Sequence, residues 1–393
     1  MGMRTVVTAE NLWNGTSLIH HPTLIIEDGL VATIQTREKG GLPAESHARL
    51  FDYPHATLAP AFLDVHIHGA AGHDVMEATS QALSAIGKFL ASRGTGSFLA
   101  TTVTAPMDKT LRSLSGLARI LAEPHGAAEA QSRPIGIHLE GPFLSHEKRG
   151  VQPAEHLLAP DVAIFDRFYE AAEGHIRLMT LAPELPGAVE LATYATARGV
   201  RVSVGHSNAN AAETRAAIAA GAISATHTFN AMRPLDHREP GILGTVLTTD
   251  SLYAELICDG IHTAPELAKL WWRAKGPERA ILVTDAMIAA GMPDGEYQLG
   301  GFAVQVANGK AMARGVLAGS VLTLDRALTN FIEFTGAPLE QALRLLTANP
   351  AAMTGLNHQA GSLAVGQPAN LVAVDSQGRL VASFVNGQDS DRP

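Results

Sequence analysis

Short apolar runs alternate with stretches of helical periodicity along the chain after Pro60. Such a repeat is typical of buried strands that are each followed by a covering helix, so it predicts βα units around a parallel sheet. Helical stretches with start and stop signals include 79–92, and 211–220 with Asn208 as the N-cap and Gly221 closing it. The predicted strands are residues 61–67, 97–103, 135–140, 176–181, 200–206, 223–227, 253–258 and 280–285.

Eight such units predict an α/β fold, a (β/α)8 barrel of the TIM type over residues 61–359. The two chain ends have a different pattern, since residues 1–60 and 360–393 both show short β-prone runs separated by turn residues. We expect one small β-sandwich domain built from both ends, because the termini of a barrel can lie close together. The strands within 1–60 are predicted to be antiparallel.

The composition is that of a globular protein. Of 393 residues, 46% are hydrophobic and 17% are charged, which excludes a disordered chain. The net charge of −9 is dispersed and offers no basic surface to nucleic acid or to an anionic membrane. The first residues lack the apolar core of a secretion signal, and the single cysteine, Cys258, cannot form a disulfide within the chain. We therefore expect a soluble, cytoplasmic protein with neither a nucleic-acid nor a membrane partner.

Metal-ligating residue types stand at the ends of five of the eight predicted strands. His66 and His68 are two residues apart on the first strand, so their imidazoles point to the same face. The other four of these strands end at Glu140, His206, His227 and Asp285. Barrel chemistry collects at the C-terminal ends of strands, and imidazole and carboxylate ligands suit Zn²⁺ or another first-row divalent ion. The sequence therefore predicts an open metal site at this end of the barrel.

Seven segments, in this order, resemble the amidohydrolase superfamily and, within it, the family of N-acetylglucosamine-6-phosphate deacetylases. The segments are Phe62-Leu-Asp-Val-His-Ile-His-Gly69, Gly136-Ile-His-Leu-Glu-Gly-Pro142, Val204-Gly-His-Ser-Asn208, Thr226-His-Thr-Phe-Asn-Ala-Met232, Arg238-Glu-Pro-Gly241, Cys258-Asp-Gly-Ile-His262 and Val283-Thr-Asp-Ala286. The resemblance covers nearly the whole chain. It implies a metal-dependent hydrolase that removes the acetyl group of N-acetyl-D-glucosamine 6-phosphate, giving D-glucosamine 6-phosphate and acetate.

The resemblance also implies one or two divalent ions per chain, with Zn²⁺ as the expected ion. Glu140, His206 and His227 are expected to hold the principal ion. His66 and His68 are expected to hold a second one, with Glu140 as the bridge.

Asp285, which we count with the metal-site residues, is the expected general base and acid. A carboxylate there can take a proton from the attacking water and pass it to the departing amine. The local sequence alone also fits an acidic helix N-cap. The substrate contacts that the resemblance implies are Val151, Gln152, Asn230, Ala231, Arg238, His262, Leu317, Ala318 and Gly319.

The expected substrate carries a phosphate, which calls for local positive charge in an acidic protein. Arg238 offers bidentate donors, and His262 is the second candidate. The resemblance implies a homodimer in which Arg238 reaches the ligand of the neighbouring subunit. The alternatives are an ion pair of Arg238 with Glu239 or Asp236, and a place for His262 beside a helix N-cap.

Three other readings remain open at this point. Where the family usually has a histidine, this chain has Gln152, which can still hydrogen-bond a sugar hydroxyl but cannot be cationic, so the galactosamine epimer is an alternative substrate. A second alternative is an amidohydrolase that acts on an N-acyl amino acid or a cyclic amide. The third is a binding protein that has lost catalysis, which the retained ligands and Asp285 disfavour.

Overall fold

The computed structural model describes residues 4–38, 48–123 and 129–390. The strands are β1 (Arg4–Trp13), β2 (Leu18–His20), β3 (Pro22–Glu27), β4 (Leu30–Thr36), β5 (Arg49–Pro60), β6 (Phe62–Ile67), β7 (Gly69–Ala70), β8 (His73–Asp74), β9 (Thr95–Thr102), β10 (Arg133–Glu140), β11 (Ile176–Leu181), β12 (Arg201–Val204), β13 (Ala222–Ala225), β14 (Tyr253–Ile257), β15 (Ala280–Val283), β16 (Gly295–Leu299), β17 (Phe302–Ala307), β18 (Lys310–Ala313), β19 (Val316–Leu317), β20 (Leu371–Val374), β21 (Leu380–Val385) and β22 (Gln388–Asp389). The helices are α1 (Ser80–Ser92), α2 (Met107–Ala122), α3 (Val162–Ala171), α4 (Ala188–Ala197), α5 (Ala211–Ala219), α6 (Gly241–Thr248), α7 (Pro265–Arg279), α8 (Leu324–Thr335), α9 (Leu339–Arg344) and α10 (Ala348–Thr354), with 3-10 turns at Val75–Glu77 and Ala154–His156. None of these helices is long and apolar enough to span a bilayer.

Eight parallel strands form the barrel sheet in the order β6, β9, β10, β11, β12, β13, β14 and β15. β9 is buried along its whole length, as expected for a strand with the barrel interior on one face and helices on the other. The N–H of Asp285 donates to the carbonyl of His66 over 2.9 Å, and the N–H of His68 to the carbonyl of Ala286 over 2.8 Å. These bonds join the first strand to the segment after the last one. The predicted (β/α)8 fold is confirmed.

Helix α1 buries one apolar stripe against the barrel. In α1 the stripe includes Leu83, Ile86 and Leu90, at helical spacing, and Thr79 caps the helix by accepting from the N–H of Ala82 over 3.2 Å.

The prediction of Asn208 as the N-cap of α5 is wrong by two positions. The cap is Asn210, whose side chain accepts from the N–H of Glu213, while the Glu213 carboxylate accepts from the N–H of Asn210. This reciprocal capping box satisfies two free amides at once, which Asn208 cannot do because its own N–H is taken by Glu184.

Strands from both chain ends form a second sheet of eight strands, in the order β22-β21-β20-β5-β1-β3-β4 with β2 beside β1. It has its own core, which includes Leu24, Leu58 and Phe384. The prediction of an antiparallel arrangement within residues 1–60 is wrong for β1 and β5, which run parallel. β4 runs in the same direction as β1, because both are antiparallel to β3, and β5 also takes that direction. The domain boundaries at residues 60 and 360 stay a prediction.

A four-stranded antiparallel sheet, β16 to β19, follows the last barrel strand and was not expected from the sequence. Its signal is present in Asn308-Gly309, where both residues have positive φ between two alternating runs, the usual chemistry of a tight hairpin turn. This sheet matters because its strands supply part of the wall of the candidate site.

Candidate metal-dependent active site

The six predicted metal-site and catalytic residues converge at one end of the barrel. His66 lies on β6, His68 directly follows it, and Glu140 is the last residue of β10. The other three residues lie two positions beyond the ends of β12, β13 and β15, whereas the sequence predicted them as the last residues of their strands. They are His206, His227 and Asp285, whose φ angles are 46°, 29° and 49°. Positive φ is unfavourable for a non-glycine residue, and it turns each side chain out of the strand direction towards the barrel axis.

Glu140 is the centre of the cluster. Its Oε1 lies 3.2 Å from His66 Nε2, 3.3 Å from His206 Nε2 and 3.2 Å from His227 Nε2. Its Oε2 lies 3.4 Å from His68 Nε2. Burial alone would raise the pKa of Glu140, but the charge of His66 and the hydrogen bonds from His206 and His227 hold that pKa well below its usual range. Glu140 is therefore an ionised carboxylate that all four imidazoles face.

Asp285 stands at the edge of the cluster. Its Oδ1 lies 3.0 Å from His68 Nε2 and 3.6 Å from His66 Nε2. Burial would raise its pKa, but the charge of His66 and the hydrogen bond from His68 outweigh burial and lower the pKa to about 2. The Asp285 carboxylate is therefore ionised. No helix begins at Asp285 in the described chain, so the helix N-cap alternative does not apply.

The donor set fits a divalent transition metal. His206 Nε2 and His227 Nε2 lie 3.0 Å apart and face the same carboxylate oxygen, so their lone pairs need a shared proton or a cation between them. His66 Nε2 is fully buried and has no hydrogen-bond partner among the described residues. Nitrogen ligands with one or two carboxylates favour zinc and its first-row neighbours over magnesium or calcium. Three overlapping groups bring their ligand atoms within 4.8 Å of one another: Glu140 with His206 and His227, His66 with His68 and Glu140, and His66 with His227 and Asp285.

The outer nitrogens of three imidazoles are held from behind. His68 Nδ1 lies 3.0 Å from the carbonyl of Thr101, and His206 Nδ1 lies 3.0 Å from the carbonyl of Lys148. His66 Nδ1 lies 3.2 Å from Glu255 Oε2. An acceptor at Nδ1 places the proton there and leaves Nε2 as the ligand atom, which is the usual arrangement behind metal-bound histidines.

Glu255 was missed by the sequence reasoning. Its signal is a charged residue in the middle of an otherwise apolar strand, Tyr253-Ala-Glu-Leu-Ile257, where burial of a carboxylate is costly without a specific partner.

A cavity of about 260 Å³ opens above the cluster. Most predicted substrate contacts line it, namely Val151, Gln152, Asn230, Ala231, His262, Leu317 and Gly319. Two do not: Ala318 is fully buried with its N–H bonded to the carbonyl of Ala311, and Arg238 is exposed outside the lining. Wall residues that the sequence did not predict include Val103, Gly150, Leu299 and Val316.

His262 is oriented by Asp259. Its Nδ1 lies 2.7 Å from Asp259 Oδ2, while Asp259 Oδ1 accepts from the N–H groups of Ile261 and His262. With Nδ1 occupied, Nε2 is the nitrogen that can meet a ligand in the cavity. His262 lies two residues before Ala264, the N-cap of α7, and its side chain is committed to Asp259 rather than to that helix.

Gln152 bridges the cavity wall and the central carboxylate. Its Nε2 donates to Glu140 Oε2 over 2.9 Å, and its Oε1 accepts from the N–H of Thr104 over 2.8 Å. The amide oxygen and one of the two Nε2 hydrogens are therefore engaged, which fixes the orientation of the Gln152 side chain against Glu140.

The chain belongs to the amidohydrolase family, whose sequence model matches residues 57–392. It is 37% identical to the N-acetylglucosamine-6-phosphate deacetylase of Bacillus subtilis, over 92% of this chain and 91% of that protein. It is 36% identical to the N-acetylgalactosamine-6-phosphate deacetylase of Escherichia coli O157:H7, over 98% of this chain and 99% of that one. A mutant N-acetyl-D-glucosamine-6-phosphate deacetylase of Mycobacterium smegmatis, solved in complex with N-acetyl-D-glucosamine-6-phosphate, is 35% identical with a TM-score of 0.89, over 99% of this chain and 100% of that one. The resemblance seen in the seven segments is confirmed.

Proposed function

We propose that this chain hydrolyses the amide of N-acetyl-D-glucosamine 6-phosphate to D-glucosamine 6-phosphate and acetate. The observation that carries the proposal is the cluster of Glu140, four imidazoles and Asp285, all of which except His66 line an open cavity. Relatives that are more than one third identical over nearly the whole chain carry the names of amino sugar phosphate deacetylases, which supports this substrate class. An N-acyl amino acid or a cyclic amide finds no such support.

Glu140, His206 and His227 would hold a divalent ion, for which we propose Zn²⁺, and when bound that ion would lower the pKa of a water molecule and polarise the acetamide oxygen. Asp285 accepts one proton from that water as its oxygen forms a bond to the acetyl carbon. Asp285 then gives the proton to the nitrogen as the C–N bond breaks, so the amine leaves in a protonated form. We assign His262 Nε2 and Gln152 to substrate contacts at the cavity wall.

We further propose that His66 and His68 hold a second ion with Glu140, so that a chain carries up to two. The supporting observation is the group of ligand atoms from these three residues, all within 4.8 Å. The Glu140 carboxylate lies within 3.4 Å of all four imidazoles, Oε1 near His66, His206 and His227 and Oε2 near His68, so it is within reach of both proposed positions.

Arg238 is the proposed phosphate ligand, reaching the cavity of a neighbouring subunit in a homodimer. Its backbone N–H donates to Asp236 Oδ1, and its guanidinium makes no ion pair with Asp236 or Glu239 in the part of the chain described. An exposed arginine whose guanidinium forms no ion pair with a neighbouring acid is available to a phosphate.

A phosphorylated sugar crosses a lipid bilayer poorly, and we propose that the enzyme acts in the cytoplasm.

Arg238→Ala is expected to raise KM for the phosphorylated sugar by about 10- to 100-fold, because a charge-assisted bidentate contact to phosphate is lost. KM for unphosphorylated N-acetylglucosamine should stay within about twofold of wild type. Arg112→Ala, on the exposed face of α2, is the matched control, since Arg112 pairs with Asp108. Equal changes in KM for both sugars would contradict the role of Arg238 in binding the phosphate.

The proposed reaction is tested by acetate release from N-acetylglucosamine 6-phosphate, from its galactosamine epimer and from the unphosphorylated sugar. Each is measured before chelation, after chelation and after Zn²⁺ is restored. We expect metal-dependent turnover with a preference for the phosphorylated glucosamine. Faster turnover of the epimer would assign the activity of the Escherichia coli relative instead, and no turnover of any of the three would overturn the proposal.

A further inference from the structure

Glu255 is a fully buried carboxylate beneath the cluster. Its Oε2 lies 3.2 Å from His66 Nδ1 and accepts from the N–H of His227 over 3.2 Å. Its Oε1 has no hydrogen-bond partner among the described residues, and no lysine or arginine forms an ion pair with it there. A buried carboxylate with so few partners is costly to fold, so its position calls for an explanation.

We propose that Glu255 is a positioning residue that sets the affinity of the second metal position. The proposal rests on the metal site proposed above. Glu255 accepts the Nδ1 proton of His66, which leaves His66 Nε2 as the ligand atom facing Glu140 and Asp285 at 3.2 Å and 3.6 Å. A carboxylate behind an imidazole raises the basicity of the ligating nitrogen more than a neutral carbonyl does.

The contrast with the other imidazoles supports this assignment. His68 and His206 direct Nδ1 at main-chain carbonyls, those of Thr101 and Lys148. His227 Nδ1 has no hydrogen-bond partner among the described residues, so of the four imidazoles that face Glu140 only His66 has a carboxylate at Nδ1. The negative charge of Glu255 therefore acts on a ligand of the second ion, and no carboxylate lies at Nδ1 of the ligands of the principal ion in the described chain.

The Glu255 carboxylate also affects the principal metal position, because it accepts a hydrogen bond from the backbone N–H of His227. That residue has a φ of 29°, and its N–H is held by Glu255 while its Nε2 faces Glu140. A hydrogen bond to the main chain needs only an acceptor oxygen, which an amide supplies as well. Loss of the Glu255 charge should consequently lower the affinity for the second ion and leave the affinity for the principal ion nearly unchanged.

Glu255→Gln isolates the charge, because one amide oxygen can still accept from both His66 Nδ1 and the N–H of His227. Metal-free protein, prepared by chelation, is titrated with Zn²⁺ and Co²⁺ by calorimetry, with metal analysis of the product. Wild type is expected to bind two ions. Glu255→Gln should weaken the second ion about 10- to 100-fold and change the first by no more than about threefold. His68→Asn should weaken the same ion and thereby identify it.

Glu184→Gln is the matched control. Glu184 accepts from the Ser207 hydroxyl and the Asn208 N–H on the far side of His206 and does not touch His66. Its second-ion affinity should equal that of wild type. An equal loss in both variants, or unchanged affinities in Glu255→Gln, would overturn the inference while leaving the proposed function intact.

Two further results separate the inference from the proposed function. Wild type that binds one ion independently of His68 overturns the inference and the proposed second ion but not the proposed hydrolysis, whereas wild type that binds no metal overturns the proposed function as well. Should Glu255→Gln not fold, ¹⁵N spectra of the loaded wild type labelled at histidine replace it. They must show the His66 proton on Nδ1, and a proton on Nε2 would overturn the inference.

Discussion

Asp285→Asn is expected to keep its metal and lose at least about two orders of magnitude in turnover. An amide has nearly the same volume as a carboxylate, and the main-chain bonds that fix residue 285 do not involve the side chain. The N–H of Asp285 donates to His66 over 2.9 Å, and its carbonyl accepts from Ser320 over 2.7 Å. What the substitution removes is the ionised oxygen that we propose accepts the proton and delivers it to the amine.

The measurement is steady-state acetate release together with metal content per chain. Asp108→Asn, an exposed aspartate on α2 that pairs with Arg112, is the control and should behave as wild type. Near-normal turnover in Asp285→Asn would contradict its role as proton carrier. Loss of metal in parallel with turnover would make Asp285 chiefly a ligand.

The barrel and the convergence of its site residues could be predicted because both follow from a repeated local pattern. All eight predicted strands exist, and the residue types that suit a metal lie at their C-terminal ends. The exact strand ends could not be predicted at His206, His227 and Asp285. Each has positive φ, which costs free energy locally and is stabilised only by the assembled site, so no local pattern encodes it.

Features that depend on long-range partners were missed for a related reason. The parallel pairing of β1 with β5 depends on where the chain returns after residue 48, and the partners of Glu255 lie on β6 and after β13. Glu255 had a visible sequence signal, a charge within an apolar strand, but that signal names no partner. The residues that carry chemistry were therefore easier to predict than the residues that hold them in place.

Glu140→Gln is expected to abolish tight metal binding and to lower turnover by at least about three orders of magnitude, since a bound metal supplies several kcal/mol of transition-state stabilisation. Glu140 is the carboxylate that all four imidazoles face, at 3.2 to 3.4 Å. A neutral amide removes the negative charge that balances a divalent cation there. The amide NH₂ group would also replace one of the two carboxylate oxygens. In place of Oε1 it would point at the imidazoles, and in place of Oε2 it would face Gln152 Nε2, which is itself a donor.

Metal content and acetate release are measured with Zn²⁺ supplied at increasing concentration. Glu147→Gln is the control, because Glu147 carries the same charge on the neighbouring loop, where it bonds Asn208, and does not contact an imidazole of the cluster. Rescue of turnover in Glu140→Gln by excess Zn²⁺ would assign the loss to metal affinity alone. Full activity without added metal would contradict the central place of Glu140, because the three imidazoles that meet its Oε1 would then hold the ion unaided.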